Sequence, residues 1–117
     1  MAQSTCILWK SKNLSHEDLH LREKFELLKI YNNESHLLRY LLKCLECGQL
    51  YFYEFYEEVD WDKGNDPQYS TFIPIKNEND AEEFSKLTTF ELLKITPRLI
   101  DDLPSDSAKN VTIWIGK

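Results

Sequence analysis

Two strand-forming runs meeting across Cys44-Leu45-Glu46-Cys47-Gly48-Gln49 constrain this chain more than any other feature. In residues 36–44, Leu38, Tyr40, Leu42 and Cys44 fall on one face of an extended chain. Leu37, Arg39, Leu41 and Lys43 fall on the other, which reads as half wet. Residues 50–59 are aromatic on both faces. Tyr51, Tyr53, Phe55, Glu57 and Val59 point one way, and Leu50, Phe52, Glu54, Tyr56 and Glu58 the other. Aromatic side chains suit a pleated surface. The Cys-x-x-Cys-Gly unit between the runs reads as the turn that sets a hairpin, and the rest of the chain is organised around it.

Upstream, Ser15 can cap a helix, with Asp18 in the capping-box position and Leu14 and Leu19 as a staple. Leu19, Leu21, Phe25, Leu28 and Tyr31 then approximate a helical stripe that stops at Asn32-Asn33. Residues 5–10 read as a short strand or a docked arm. Beyond the hairpin, Lys63-Gly64-Asn65-Asp66-Pro67 marks a long loop over residues 60–70. Residues 71–76 form a third strand, in which Pro74 suggests an edge or a strand end. Residues 77–80 offer N-caps for a helix through Ala81, Phe84 and Leu87. A second helical piece over residues 89–95, capped by Thr88 or Thr89 with Glu91 nearby, stops before Pro97. Residues 98–107 read as a loop and residues 111–115 as a closing strand. The expectation is a single α+β domain over residues 1–117: a mainly antiparallel sheet of about four strands with helices packed on one face.

At 117 residues the chain can bury one core, and 29% charged residues is ordinary for a globular protein. The charge is unevenly placed. Residues 1–45 carry a net charge of +2 and residues 46–117 a net charge of −8. That sign disfavours nucleic acid as a partner and favours a basic one. No run approaches the roughly 18 apolar residues of a membrane span, and the apolar run Cys6-Ile7-Leu8-Trp9 is too short for a secretory core, so a cytoplasmic location is expected. Three cysteines, an odd number, do not make a disulfide framework.

The paired cysteines admit two readings. Cys44 and Cys47 have the spacing of a zinc knuckle, where two thiolates hold one side of a tetrahedral ion. Two more ligands would have to come from Cys6, His16, His20 or His36. His16 and His20 stand four apart, the spacing that places two imidazoles on one helix face. In the other reading the unit is only a tight turn, with Cys44 packed as a small hydrophobe. With two of four ligands in hand, sequence assigns no metal and no cofactor. A redox role is disfavoured because a strand, not a helix, follows the pair. No Gly-x-Ser-x-Gly elbow or glycine-rich phosphate loop is present, and no catalytic residue is assigned.

The other candidate is the acidic, aromatic strand end. Glu54, Glu57, Glu58, Asp60, Asp62 and Asp66 face a single base, Lys63, among Tyr56, Trp61 and Tyr69. Tyrosine and tryptophan are enriched at interface hot spots, and nearby acids steer a basic partner toward them. These nine residues, Glu54, Tyr56, Glu57, Glu58, Asp60, Trp61, Asp62, Asp66 and Tyr69, form the candidate partner-binding set. The competing reading makes the aromatics sheet core and the acids a solvated strand end.

The run Cys44-Leu-Glu-Cys-Gly-Gln-Leu-Tyr-Phe-Tyr-Glu-Phe-Tyr-Glu-Glu resembles a family of small acidic bacterial proteins. So do Asp60-Trp61, Gly64-Asn65-Asp66-Pro67-Gln68-Tyr69, Glu91-Leu-Leu-Lys-Ile-Thr-Pro97-Arg98-Leu and Ile113-Trp114-Ile115. Some of that family resemble immunity proteins of contact-dependent growth inhibition systems. The resemblance implies a small, cytoplasmic, non-enzymatic toxin inhibitor. Its partner would be the C-terminal domain of a cognate toxin, expected to be a basic nuclease whose active site is occluded. The alternative is a small structural zinc-binding domain; an enzyme or regulatory domain is the third class.

Overall fold

The computed structural model describes residues 6–10, 14, 19, 21–34, 36–57, 68–103 and 111–116. Its centre is a six-stranded sheet in which spatial order equals sequence order and every neighbouring pair is antiparallel. The strands are β1 (Phe25–Glu34), β2 (Leu37–Cys44), β3 (Leu50–Glu57), β4 (Gln68–Ile75), β5 (Arg98–Asp102) and β6 (Val111–Ile115). Four short helices accompany them: α1 (Ile7–Lys10), α2 (Leu21–Lys24), α3 (Glu78–Phe84) and α4 (Thr89–Leu92).

The hairpin expected from sequence is present as β2 and β3. Leu42 pairs with Tyr51, Leu41 with Phe52 and Tyr40 with Tyr53. Its turn is closed by Cys44 N–H donating to the Gln49 carbonyl (2.8 Å) and Gly48 N–H donating to the Cys44 carbonyl (2.9 Å). Gly48 sits at φ +80°, where a side chain would be strained. Gln49 is buried, and its Nε2 donates to the carbonyls of Leu50 and Ile75, both at 2.9 Å, which ties the start of β3 to the end of β4.

Because successive side chains alternate, β3 feeds two cores. On one face Tyr51 and Tyr53 join Phe25, Leu42, Cys44, Phe72 and Leu99 beneath Cys6, Leu8 and Leu19. On the other Phe52 joins Leu41, Ile73 and Ile75 beneath Ala81 and Leu92. Tyr51 and Phe52 are both fully buried. Burial of each such side chain contributes about 1.5–3 kcal/mol. Ring contacts add to this: Tyr53 to Phe72 at 4.9 Å, Phe25 to Phe72 at 5.4 Å, and Phe52 to Phe84 at 5.9 Å between centroids.

Coverage on the two faces explains where the helices differ from expectation. α3 and α4 share one face of the sheet, that of Phe52. The N-terminal segment lies on the Tyr51 face, so covering elements occupy both sides, not one. That segment is the docked arm of the two readings offered for residues 5–10, helical where a strand was the alternative. Trp114 Nε1 donates to the Leu8 carbonyl (2.8 Å), and the Trp114 and Trp9 rings meet edge to face at 4.9 Å.

Three expectations are corrected. The long helix toward Tyr31 is replaced by one turn, α2, followed by the ten-residue strand β1. Leu, Glu and Lys favour helix locally, but pairing along the whole length of β2 outweighs that preference. The helical stripe is instead a strand with only Phe25 fully buried and Leu27, Leu28 and Ile30 exposed. The helix-start reading at Ser15 with Asp18 lies outside the described residues. Residues 98–107, read as a loop, contain β5, whose Arg98-Leu99-Ile100-Asp101-Asp102 is too short and polar to announce itself. The sheet therefore has six strands rather than about four.

Other expectations hold. Thr88 caps α4, accepting from Glu91 N–H at 3.1 Å while Glu91 accepts from Thr88 N–H at 2.9 Å. Asn77 caps α3, accepting from Asp80 N–H at 3.1 Å. Pro74 lies inside β4 opposite Tyr51, but β5 pairs only with Thr71 and Phe72. One side of β4 is thus free of ladder at the proline, which gives it the local character of an edge.

Candidate functional site

On the Phe52 face, α3 and α4 cover only part of the sheet. Beside them lies a cleft of about 760 Å³ lined by Glu54 and Tyr56 of β3, Tyr69 and Thr71 of β4, Arg98 and Asp102 of β5, and Thr88, Thr89, Phe90 and Leu93 around α4. The sheet register puts the strand residues on one face: Tyr56 opposes Tyr69, Glu54 opposes Thr71, and Thr71 opposes Ile100. Tyr56 and Tyr69 stack with centroids 6.2 Å apart and planes at 17°.

The inner end of the cleft is fixed by a buried ion pair. Arg39 Nε and Nη2 lie 2.9 and 2.7 Å from Glu54 Oε2. Arg39 Nη1 donates to the Ser85 carbonyl (3.1 Å), and the Thr89 hydroxyl donates to Glu54 Oε2 (3.3 Å). One guanidinium and one carboxylate thereby join β2, β3, the end of α3 and the start of α4. The Glu54 charge is compensated by Arg39 and is not offered freely to a visitor.

At the outer end Asp102 and Arg98 share a face of β5. Ser70 N–H donates to Asp102 Oδ1 (3.2 Å). Burial pushes the Asp102 carboxyl above its usual range, opposed by that hydrogen bond and by the charge of Arg98. The buried Nε of Arg98 has no hydrogen-bond partner among the described residues. The rim is apolar and open. Phe90 is 80% exposed and Leu93 47%. Val111 and Ile113, also exposed, pair with Asp102 and Ile100, so they extend the same sheet face across β6.

Four of the nine partner-binding candidates fall among the described residues. Glu54, Tyr56 and Tyr69 are brought together in the cleft. Glu57 points to the opposite face, where its carboxylate accepts from Gln68 Nε2 (3.0 Å) and lies 3.5 Å from His36 Nδ1. Glu58, Asp60, Trp61, Asp62 and Asp66 lie outside the described residues. Sequence reading missed Arg39, Thr89, Phe90, Leu93, Arg98 and Asp102. The available signal was the capping box at Thr88, which places Phe90 and Leu93 three apart on one side of a short helix.

A second cluster stands at the other end of the hairpin. The Sγ atoms of Cys6, Cys44 and Cys47 all lie within 4.8 Å of one another. Cys6 and Cys44 are buried, and the Tyr51 hydroxyl donates to Cys6 Sγ at 3.0 Å. Cys47 is exposed as a residue, yet its sulfur is turned to the other two. Desolvation pushes its thiol up to about 12, partly countered by a hydrogen bond from the Gln49 backbone. An activated redox thiol is shifted the other way. His36 stands at the opposite end of β2 from this cluster. His16 and His20 lie outside the described residues.

Among the described residues no helix is long and apolar enough to cross a membrane. Comparison with protein-family models, with curated proteins and with solved structures returns no significant match.

Proposed function

We propose that this chain is a non-enzymatic immunity protein that neutralises a basic bacterial toxin domain, a nuclease in the first instance, by taking one of its segments into the cleft beside α4. The observation that carries this reading is the pairing of an exposed apolar rim, Phe90 and Leu93, with a preformed cleft floored by the stacked Tyr56 and Tyr69. Exposed aromatic anchors beside a concavity are the usual makings of an interface hot spot. The net charge of −6 favours encounter with a basic surface. The Glu54 carboxylate, which accepts from the Thr89 hydroxyl in the cleft, is already held by Arg39, a poor arrangement for a general base. Binding therefore fits the cleft better than turnover.

The test is a pull-down and titration against the C-terminal domain of a large secreted toxin encoded directly upstream. Phe90→Ala and Leu93→Ala, both at exposed positions, are expected to weaken binding by about ten-fold or more each. Charge reversal of Glu57, Glu58, Asp60 and Asp62 is expected to slow association and to flatten or invert its fall with salt. Unchanged affinity in both rim variants would remove the cleft from the mechanism, and the lack of any such neighbouring toxin gene would count against the immunity role itself.

A further inference from the structure

The thiol cluster is independent of the cleft and calls for its own explanation. Packing as small hydrophobes accounts for Cys6 and Cys44, which are buried, but not for Cys47, whose residue is exposed while its sulfur faces inward. The cluster is assembled from two places far apart in the chain. Cys44 and Cys47 frame the β2–β3 turn, held by Gly48 at φ +80° and by the Cys44–Gln49 backbone bond. Cys6 arrives on the N-terminal arm, which Trp114 anchors through the Leu8 carbonyl. The Lys24 carbonyl accepts from Leu45 N–H at 3.0 Å, fixing α2 against the same turn.

A hydrogen-bond donor points at these sulfurs: the Tyr51 hydroxyl at Cys6, at 3.0 Å. Donors of this kind stabilise coordinated thiolates. With Zn–S bonds of about 2.3 Å, sulfurs of a tetrahedral site stand roughly 3.8 Å apart, so three sulfurs already within 4.8 Å need only a small contraction.

We propose that Cys6, Cys44 and Cys47 bind one thiophilic divalent cation, zinc foremost, as three thiolates supported by the Tyr51 hydroxyl. Each thiol releases its proton to solvent on coordination, so three thiolates and a dication carry one net negative charge. The fourth position is left for a small donor such as water on the exposed Cys47 side. The ion would fasten the N-terminal arm to the hairpin turn and so seal the Tyr51 face of the sheet.

The experiment is metal analysis of the full chain purified under reducing conditions from zinc-supplemented cells, with cobalt(II) titration of the metal-free protein. About one equivalent of zinc and a thiolate-to-cobalt charge-transfer band are expected. Cys47→Ser, at an exposed position, should keep the fold by circular dichroism and weaken metal binding by at least about 100-fold. Zinc should also protect all three thiols of the wild-type chain from alkylation, a readout that needs no variant. Zinc content no higher than in Cys47→Ser, with no charge-transfer band, would overturn the proposal. So would an intact mass showing two of the three thiols joined as a disulfide in the reduced preparation.

Discussion

The two faces of the sheet are built from the same strands but finished differently. On the Tyr51 face the N-terminal arm lies across the sheet, and Cys6, Leu8 and Leu19 are almost fully buried against it. On the Phe52 face α3 and α4 cover β2 to β4, while Phe90, Leu93, Val111 and Ile113 stay open to solvent. The closed face is finished by sulfur and aromatic rings; the open face is organised by one ion pair. The difference shows how an alternating strand can close one face of a sheet with one set of residues and leave a cleft beside the next.

Arg39 should break the open face most severely. Arg39→Ala leaves the Glu54 carboxylate buried without its partner and should cost about 3–5 kcal/mol in chemical denaturation. Replacing both partners, as Arg39→Met with Glu54→Leu, should recover most of that loss, because the desolvated charge disappears with its counterion. A double variant as unstable as the single one would show that the Ser85 and Thr89 contacts, not the ion pair, hold α3 and α4 in place.

Thr88→Ala is a milder probe of the same side. Loss of the capping box should cost about 1 kcal/mol and loosen α4, and with it the cleft rim. Hydrogen exchange should quicken at Glu91 and Leu92 and stay unchanged in β2 and the arm. Faster exchange on both faces would mean that they are coupled.

Asp102→Asn should have the smallest effect, and an informative sign. A carboxyl whose folded-state pKa is raised is less favourable as a charge in the fold than in the unfolded chain, so its ionisation opposes folding at neutral pH. The amide can still accept from Ser70. The variant should gain less than about 1 kcal/mol at pH 7. That gain should shrink as pH falls through the raised folded-state pKa and vanish below the ordinary carboxylate range, as thermal melts across that window will report.

How much of this was legible in the sequence follows from the range of the interactions involved. The β2–β3 hairpin and the Thr88 cap depend on neighbours a few residues away, and both could be read directly. β1 could not, because residues 25–31 favour helix until five positions of β2 pair with them. β5 was hidden for the same reason: five residues with three charges become a strand only between β4 and β6. At the cleft, Tyr56 and Tyr69 were both named as candidates, but Tyr69 was read as part of the loop over residues 60–70, and only its pairing with Tyr56 makes it part of β4. The role of Glu54 was not legible, since its partner Arg39 sits on what looked like the wet face of β2. Phe90 was overlooked because an exposed phenylalanine and a buried one are identical as letters.

The hydrogen bond from Trp114 to Leu8 spans 106 positions of the chain. Every strand ladder, by contrast, joins neighbours in sequence. Loop closure costs little for each successive hairpin, so the sheet can grow one strand at a time without waiting for a distant segment. The clasp between the first turn of helix and the last strand is the exception. Closing it joins segments 106 positions apart, so its loop-closure cost exceeds that of any single hairpin in the sheet.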